Sequence, residues 1–397
     1  MVISKNLITI LVFSVLASAV ELDISVPSLP DISDYFQISD GLAQMTISVN
    51  FTAYAIACVL VGPLSEIYGR RPMMIVGNAI MLIGSIGCVL SESIEILLLC
   101  RFFQGLGAST SPVLMYTMIS DVYKGSKATK SIGQVTSLLT IFMAIAPLAG
   151  GFINEQLGWR GNYAVVFIIC LSSWLFLVLK LPETKTNFEE LSWLQIGRSY
   201  LTIITNKIFI SGAFIPLLGY AGFISFITSS PFLYMETFKL PMMEYVLHQG
   251  AIILAFSITS MYIGQIINLL GEKKSIIYGI NLCLIALILL LIVSIFIPKL
   301  STSIMPYLTT ICMMLYVIGI AFGRAIIFAK VMEIYPRFKG SASSVISGLR
   351  MIISAIAISI TGYFCSGTLV LIALAMLTIT IVIYILVKRF LNEFSFE

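Results

Sequence analysis

The sequence has very little charge: 11% of its 397 residues are Asp, Glu, Lys or Arg, whereas 59% are hydrophobic. A soluble domain needs a solvated polar surface, and a mean hydropathy of +1.03 leaves too little polar sequence to form one. The segments between the apolar runs are also short, so there is no room for a large domain outside them. These absences exclude an ordinary soluble protein and predict a polytopic membrane protein.

Histidine and paired cysteine are scarce as well. His248 is the single histidine, and the seven cysteines lie one by one inside apolar runs without a CxxC or Cys/His pairing. Disulfide frameworks and metal sites need such clusters, so we expect no disulfide, metal or cofactor. A membrane enzyme would need a polar constellation at one membrane face, and the sequence contains none. We therefore predict that the protein is not an enzyme.

Twelve apolar runs are long enough to cross a bilayer, which takes about 20 residues each. They are 6–28, 43–63, 72–90, 96–120, 130–153, 161–181, 207–235, 246–270, 275–297, 304–331, 341–364 and 367–388. Runs of this length and continuous apolarity fit helices rather than barrel strands. The first run, with Lys5 and Ala17-Ser18-Ala19, also resembles a secretory signal peptide. We keep it as predicted helix 1, because its removal would leave eleven helices and break the symmetry described below.

The distribution of Lys and Arg predicts the orientation in the membrane. With alternating connections, seventeen basic residues fall on one face and only Arg160, Lys239 and Lys299 on the other. Positive residues collect on the cytoplasmic face, so we expect both termini in the cytoplasm. The one longer connection, 182–206, lies on that face, is partly amphipathic and would join two bundles along the membrane surface.

Two weak repeats indicate that the chain is a duplicated six-helix unit. The stretch from Gly62 to Arg71 returns at an offset of 202, from Gly264 to Lys274, and a second pair begins at Asp121 and at Glu333. Repeats in the same order at similar offsets are expected after duplication. We therefore predict an all-α membrane protein with twelve transmembrane helices in two pseudo-symmetric six-helix bundles. The expected parts are an N-terminal bundle, 1–181, a cytoplasmic linker, 182–206, and a C-terminal bundle, 207–397.

Four short motifs stand out in the first half. They are Asp23-Ile24-Ser25-Val26-Pro27, Gly62-x-Leu64-x-Glu66-x-x-Gly69-Arg70-Arg71, Arg101-Phe102-Phe103-Gln104-Gly105 and Ala146-Pro147-Leu148-Ala149-Gly150-Gly151. Together they resemble the signatures of the major facilitator superfamily, in its twelve-helix drug/proton antiporter branch and of the bicyclomycin/chloramphenicol-exporter type. The second motif departs from that signature, with Glu66 where Asp is usual and Ile67 where a basic residue is usual. The second half of the chain matches only through the degenerate repeat.

The resemblance implies a cytoplasmic gate made by the loop signature and one acid after predicted helix 4: Gly62, Glu66, Gly69, Arg70, Arg71 and Asp121. Such an acid and its arginines would hold helix ends together while the carrier faces outward, with Glu66 near the start of predicted helix 11. The alternative is that Arg70 and Arg71 only fix the topology, as any cytoplasmic arginine does.

Asp23 and Glu21 are the candidate proton carriers, since a carboxylate inside a membrane helix costs about 2.5–3.5 kcal/mol and usually has a function. Two residues apart, they point to nearly opposite helix faces. Asp23 carries the motif match and is preferred, with Glu21 as the alternative. The resemblance implies that Arg101 bonds to the glycine-rich bend of predicted helix 5 and helps the proton leave. Its alternative is snorkelling to the outer interface.

Two further groups complete the candidate site. The resemblance assigns Pro147, Gly150 and Gly151 to the antiporter motif, for which a packing kink is the alternative. Possible cavity residues are aromatic or polar side chains inside apolar runs: Tyr54, Gln104, Tyr116, Phe142, Arg324 and Arg350. The last two arginines lack an acid on the same helix, apart from Glu333, and would favour an anionic substrate.

From the resemblance we expect a proton-coupled antiporter that exports small, largely hydrophobic organic compounds across the bacterial inner membrane by alternating access, as multidrug exporters do. Arg324 and Arg350 leave open a dedicated exporter of an anionic metabolite such as a siderophore. A channel would need neither Asp23 nor the gating loop. The expected partners are a small-molecule substrate, protons and membrane lipid, with no nucleic acid, and the protein is expected to be a monomer.

Overall fold

The computed structural model describes residues 4–123, 126–185, 193–296, 303–335, 339–364 and 368–393, and all regular structure in these ranges is helical. Lys299, Arg337, Cys365 and the linker stretch 186–192 lie outside them. The chain divides into two compact units, Met1–Ile38 with Met45–Arg198, and Ser39–Gln44 with Ser199–Glu397.

The helices of the first unit follow the apolar runs of the sequence. They are α1 Ser4–Asp23, a 3₁₀ helix Val26–Ser28, α2 Leu29–Phe36, α3 Asp40–Tyr68, α4 Arg70–Val89, α5 Ile94–Ala108, α6 Thr110–Val122 and α7 Ser126–Lys180. The next helix, α8 Trp193–Thr205, crosses the boundary between the two units after Arg198. A backbone in lipid must satisfy its own hydrogen bonds, which is why apolar runs of this length become helices.

Predicted helix 1 is interrupted, which corrects the expectation that Asp23 lies inside it. Asp23 is the last residue of α1, and the chain continues through Ser25 into the 3₁₀ helix. Pro27 is in the first turn of that helix and Pro30 in the first turn of α2, where a missing N–H costs nothing. The same prolines cannot supply the hydrogen bonds that would continue α1, so the carboxylate of Asp23 lies at a helix end.

Ten helical segments among the described residues are long and apolar enough to cross a membrane. Predicted helix 4, 96–120, is absent from these ten because it breaks at Ser109 into α5 and α6, of 15 and 13 residues. Predicted helices 5 and 6 are joined in α7, whose helical geometry is interrupted at Gly158 (φ 69°, ψ 179°) rather than by a loop. The twelve-helix, two-bundle arrangement therefore stays a prediction.

Among the residues of the second unit that the structure describes, six long helices and one short π-helix follow α8. They are α9 Lys207–Pro231, the π-helix Phe232–Thr237, α10 Met242–Leu270, α11 Glu272–Phe296, α12 Met305–Glu333, α13 Lys339–Phe364 and α14 Leu369–Glu393. Its interior is packed by side chains from α9, α11, α12 and α14, such as Phe226, Leu287, Tyr316 and Phe390, all at most 1% exposed.

The sequence repeat has a counterpart in the backbone. Gly69 (φ 96°, ψ 157°) separates α3 from α4, and Gly271 (φ 79°, ψ 159°), 202 positions later, separates α10 from α11 in nearly the same conformation. A positive φ at both positions explains why glycine stands there. Gly62 and Gly264, which open the two copies, both face open space.

Candidate functional site

A fully buried ion pair lies inside the first unit. The guanidinium of Arg101 on α5 contacts the carboxylate of Glu21 on α1, and both side chains are 0% exposed. Arg101 also donates from Nη1 to Gln104 Oε1 (2.6 Å) and from Nε to the Thr46 carbonyl oxygen (3.2 Å). Asn50 Nδ2 donates to Glu21 Oε1 (2.8 Å). The pair is thus held by α3 and α5 from several directions.

Glycine on α5 brings the backbones around this pair together. A Cβ on Gly105 would lie 2.2 Å from the Asn50 carbonyl oxygen, so only glycine lets α3 and α5 approach this closely. Asn50 in turn donates from Nδ2 to the Arg101 carbonyl oxygen (3.2 Å). Close packing of this kind excludes bulk water, and in a medium of low dielectric constant the attraction between the two charges is strong.

Glu21 and Arg101 keep unused bonding capacity. Glu21 Oε2, Arg101 Nη2 and Asn50 Oδ1 are buried, and no described residue forms a hydrogen bond with them. Buried polar atoms of this type are normally satisfied by protein or ordered water, and each one left alone carries a desolvation cost. The pair can therefore accept a further polar partner without breaking its existing contact.

Asp23 does not take part in the ion pair. It is partly exposed, and no described residue forms a hydrogen bond or ion pair with its carboxylate. Gly150 of the antiporter motif packs against the next residue, Ile24, since a Cβ there would lie 2.1 Å from the carbonyl oxygen of Ile24. Pro147 and Gly151 are buried on the same helix, α7. The motif glycine therefore permits the contact between α7 and the end of α1.

The position of Arg101 corrects one expectation. Its hydrogen bonds to described residues go to Glu21, Gln104 and Thr46, none of which belongs to the glycine-rich bend. Snorkelling to the outer interface does not fit either, because the side chain is fully buried. Gln104, expected in a substrate cavity, belongs to this network and is also fully buried, with Nε2 donating to Ser85 Oγ (2.9 Å).

A second cluster of charges surrounds Arg70 at the junction of α3 and α4. Arg70 donates from Nη2 to Glu66 Oε1 (2.5 Å), from Nε to Asp121 Oδ2 (3.3 Å) and from Nη1 to Ser65 Oγ (2.5 Å). The structure thus brings together Glu66, Arg70 and Asp121, as the resemblance implies. Ser65 was not expected, because a serine in a polar turn carries no specific signal.

Residues after α7 complete this cluster and were missed by sequence reasoning. Glu183 accepts hydrogen bonds from the backbone N–H of Arg70 at Oε1 (3.1 Å) and of Arg71 at Oε2 (3.0 Å). A carboxylate there offsets the two arginines that begin α4, where a helix N-terminus favours negative charge. Lys185 contacts the Glu66 carboxylate and donates to its carbonyl oxygen (2.6 Å). The only signal was their position just beyond predicted helix 6, in a segment assigned to the linker.

The other predicted residues fall in several environments. Arg71 donates from Nη2 to the Val178 carbonyl oxygen (3.0 Å). Tyr54 is 5% exposed, whereas Tyr116 is 45% and Phe142 36% exposed. Arg324 is exposed and Arg350 half-buried, both in the second unit.

Glu333 does not neutralise either of these arginines, although the sequence allowed it. It ends α12, and no described acid forms an ion pair with Arg324 or Arg350. Nine residues of helix separate Arg324 from Glu333, which is about 14 Å at 1.5 Å per residue. Both arginines are therefore unneutralised cations among the described residues.

A helical membrane protein with a buried ion pair at a broken first helix and a charged junction between α3 and α4 has the features of a transporter. Residues 11–358 match the Major Facilitator Superfamily, and the chain belongs to this family. It is accordingly a multi-pass membrane transporter.

Several curated proteins are similar to this chain. The uncharacterized MFS-type transporter YdgK of Bacillus subtilis (strain 168) is 25% identical over 346 residues, 86% of this chain and 84% of that protein. Chloramphenicol resistance protein CraA of Acinetobacter baumannii is 23% identical over 291 residues, 73% of this chain and 70% of its own. Multidrug resistance protein D of Escherichia coli (strain K12) is 24% identical over 221 residues, 56% of each chain.

Proposed function

We infer that this transporter is a proton-coupled antiporter that exports small, largely hydrophobic organic compounds across the bacterial inner membrane. It would work by alternating access between two six-helix bundles, as a monomer with both termini in the cytoplasm. The names of CraA and of multidrug resistance protein D support drug-like compounds as substrates. The charge bias of the loops supports the orientation of the termini.

The observation that carries proton coupling is the contrast between Glu21 and Asp23. Glu21 is neutralised by Arg101, so protonating it would leave a buried guanidinium without its counter-charge. Asp23 has no described cationic or hydrogen-bonding partner, so taking up a proton removes an uncompensated negative charge. The free energy of protonation therefore favours Asp23 as the carrier, with Glu21 as the anchor of Arg101.

The break after Asp23 supports the same role. Transporters place their sites at interrupted helices, where the backbone at the break lines a cavity. A proton moving inward with the membrane potential releases about 2.3 kcal/mol per 100 mV. That free energy corresponds to roughly fiftyfold accumulation of an exported neutral compound per proton.

The test is export from proteoliposomes with and without a pH gradient, using a panel of cationic, neutral and anionic aromatic compounds. The wild type should export at least one of them faster when protons can enter in exchange. Asp23→Asn should abolish the response to the gradient, whereas Asp34→Asn, which changes an exposed acid on α2, should keep it. Gradient-driven export that persists in Asp23→Asn and disappears in Glu21→Gln would transfer the carrier role to Glu21. Export that never responds to the gradient would refute antiport.

A further inference from the structure

An apolar cavity lies within the second unit, between α9, α11, α12 and α14. Its lining is almost entirely apolar and includes Ile215, Gly219, Ile280, Ile320, Gly323 and Ile383. A lining of this kind suits the hydrophobic body of an organic compound.

Two glycines keep this cavity open. A Cβ on Gly219 would find its nearest neighbour, Ile320, at 3.8 Å, and a Cβ on Gly323 would find Ile327 at 3.7 Å. Neither glycine is therefore required by close helix packing, unlike Gly319, whose Cβ would lie 2.6 Å from the Gly279 carbonyl oxygen. Their effect is to leave space along the faces of α9 and α12.

Arg324 is the one charged residue among those that line the cavity. Its guanidinium lies 5.3 Å from the ring centroid of Phe256 on α10, and the residue keeps an exposed surface. An aromatic face attracts a cation but does not neutralise it. The site therefore offers a full positive charge at the edge of an apolar space.

Arg350 on α13 adds to this positive potential. It lies over the Tyr220 ring at 5.2 Å and close enough to Arg324 for the two guanidinium groups to repel one another. Its Nε atom is buried without a hydrogen-bond partner among the described residues, and so is Ser354 Oγ one turn later on the same helix. The two unused buried donors carry a desolvation cost, and the two like charges repel one another, so a bound anion would relieve both.

We propose that the cavity binds an amphipathic anion, with its apolar body between α9, α11, α12 and α14 and its carboxylate on Arg324, next to Arg350. This rests on the proposed export function and narrows it to hydrophobic compounds that carry one negative charge. Arg324 is then a binding residue, and Gly219 and Gly323 set the space available to the substrate.

The test compares two probes of nearly the same shape, 1-naphthoate and the neutral 1-naphthamide, by equilibrium binding to the full-length protein in phosphatidylcholine nanodiscs. The wild type should bind the anion more tightly. Arg324→Gln should remove this preference by weakening naphthoate binding about tenfold or more, because charge-assisted hydrogen bonds are stronger than neutral ones. Gly219→Leu should weaken the binding of both probes, because the leucine side chain would fill the cavity.

Two controls keep the result interpretable. Lys388→Gln removes a cation that lies over Tyr384 on α14, outside the cavity, and should leave both affinities unchanged. If Arg324→Gln does not fold, Arg324→Lys takes its place and should still bind the anion more tightly than the amide. Gly219→Leu should then still weaken the binding of both probes.

Equal binding of the two probes by the wild type would overturn the assignment, as would a preference that survives in Arg324→Gln. Displacement of naphthoate by phosphatidylglycerol in the nanodiscs would also overturn it, because the anion would then be a lipid headgroup. These binding measurements need no proton gradient. Selective binding without gradient-driven export would therefore reject the proposed antiport alone, and gradient-driven export of neutral compounds without selective binding would reject only this inference.

Discussion

At the scale of single residues, the buried ion pair between Glu21 and Arg101 is the contact in the first unit on which stability should depend most. Glu21→Gln should lower the free energy of unfolding by about 3–5 kcal/mol, because it leaves the Arg101 guanidinium buried without its counter-charge. Denaturant-induced unfolding in detergent micelles measures this change. Glu92→Gln, which removes an exposed acid in the connection before α5, is the matched control and should change stability by less than about 0.5 kcal/mol.

A double variant shows whether the two charges stabilise each other or whether each single variant merely loses a polar group. If the two charges stabilise each other, Glu21→Gln with Arg101→Gln should be more stable than the sum of the two single variants implies. Strict additivity would mean that Arg101 is held by Gln104 and the Thr46 carbonyl oxygen, which also accept its hydrogen bonds.

The sequence predicted the members of this site better than their contacts. Asp23 and Arg101 stood out because charge inside an apolar run is costly, and Glu21 was recognised for the same reason. The Glu21–Arg101 contact joins residues 80 positions apart, and no local pattern encodes it. Asn50 had no signal at all, since an amide in an apolar helix shows its function only when the helix packing is known.

At the scale of helices, close packing depends on particular glycines, and the geometry distinguishes them. Gly150→Ala should destabilise the protein by about 1–3 kcal/mol and reduce export, since its Cβ would meet the Ile24 backbone at 2.1 Å and α7 would have to move away from α1. Gly62→Ala has nothing within 4 Å of its Cβ and should be tolerated, although the same family resemblance singled out both glycines. Thermal unfolding and export of the two variants check this. Equal losses in both would contradict it.

The start of α4 is the second element whose stability can be tested. Glu183→Gln keeps an acceptor for one backbone N–H but loses the charge, so we expect a loss of about 0.3–1 kcal/mol at low ionic strength, shrinking in high salt. The control is Glu155→Gln, an exposed acid on α7. A loss that does not depend on salt would show that Glu183 acts through hydrogen bonding and not through its charge.

Helix positions were predictable because hydrophobic length sets them, but interruptions were not. The apolar runs continue without change past Asp23, Ser109 and Gly158, where the structure ends or bends a helix. Prolines just beyond Asp23 were a usable signal that the predicted boundary ignored. Pro112, three residues beyond Ser109, lacks the N–H that would bond to the Ala108 carbonyl oxygen, so the break at Ser109 had a usable signal as well.

At the scale of the whole molecule, the two copies of the loop conserve backbone geometry while reversing a charge pair. In the first copy Arg70, at the start of α4, binds Asp121 near the end of α6. In the second, Glu272 at the start of α11 lies 3.4 Å from Lys330 in the last turn of α12. The second arrangement agrees with the dipoles of both helices, whereas the first opposes them and includes Glu183 as a compensating anion. The first junction is therefore held by contacts between side chains, and the second partly by the helices themselves.

This difference predicts that the two junctions contribute unequally to transport. Arg70→Ala should abolish export while leaving membrane insertion and expression unchanged, because one side chain joins Ser65, Glu66 and Asp121. Lys330→Ala should lower export by no more than about fivefold, since a partly exposed ion pair contributes about 0–1 kcal/mol and Glu272 keeps its favourable place at a helix N-terminus. Initial export rates, normalised to the amount of protein in the membrane, measure both effects. Equal losses would mean that the gate is symmetric, and a freely exporting Arg70→Ala variant would leave Arg70 with a topological role only.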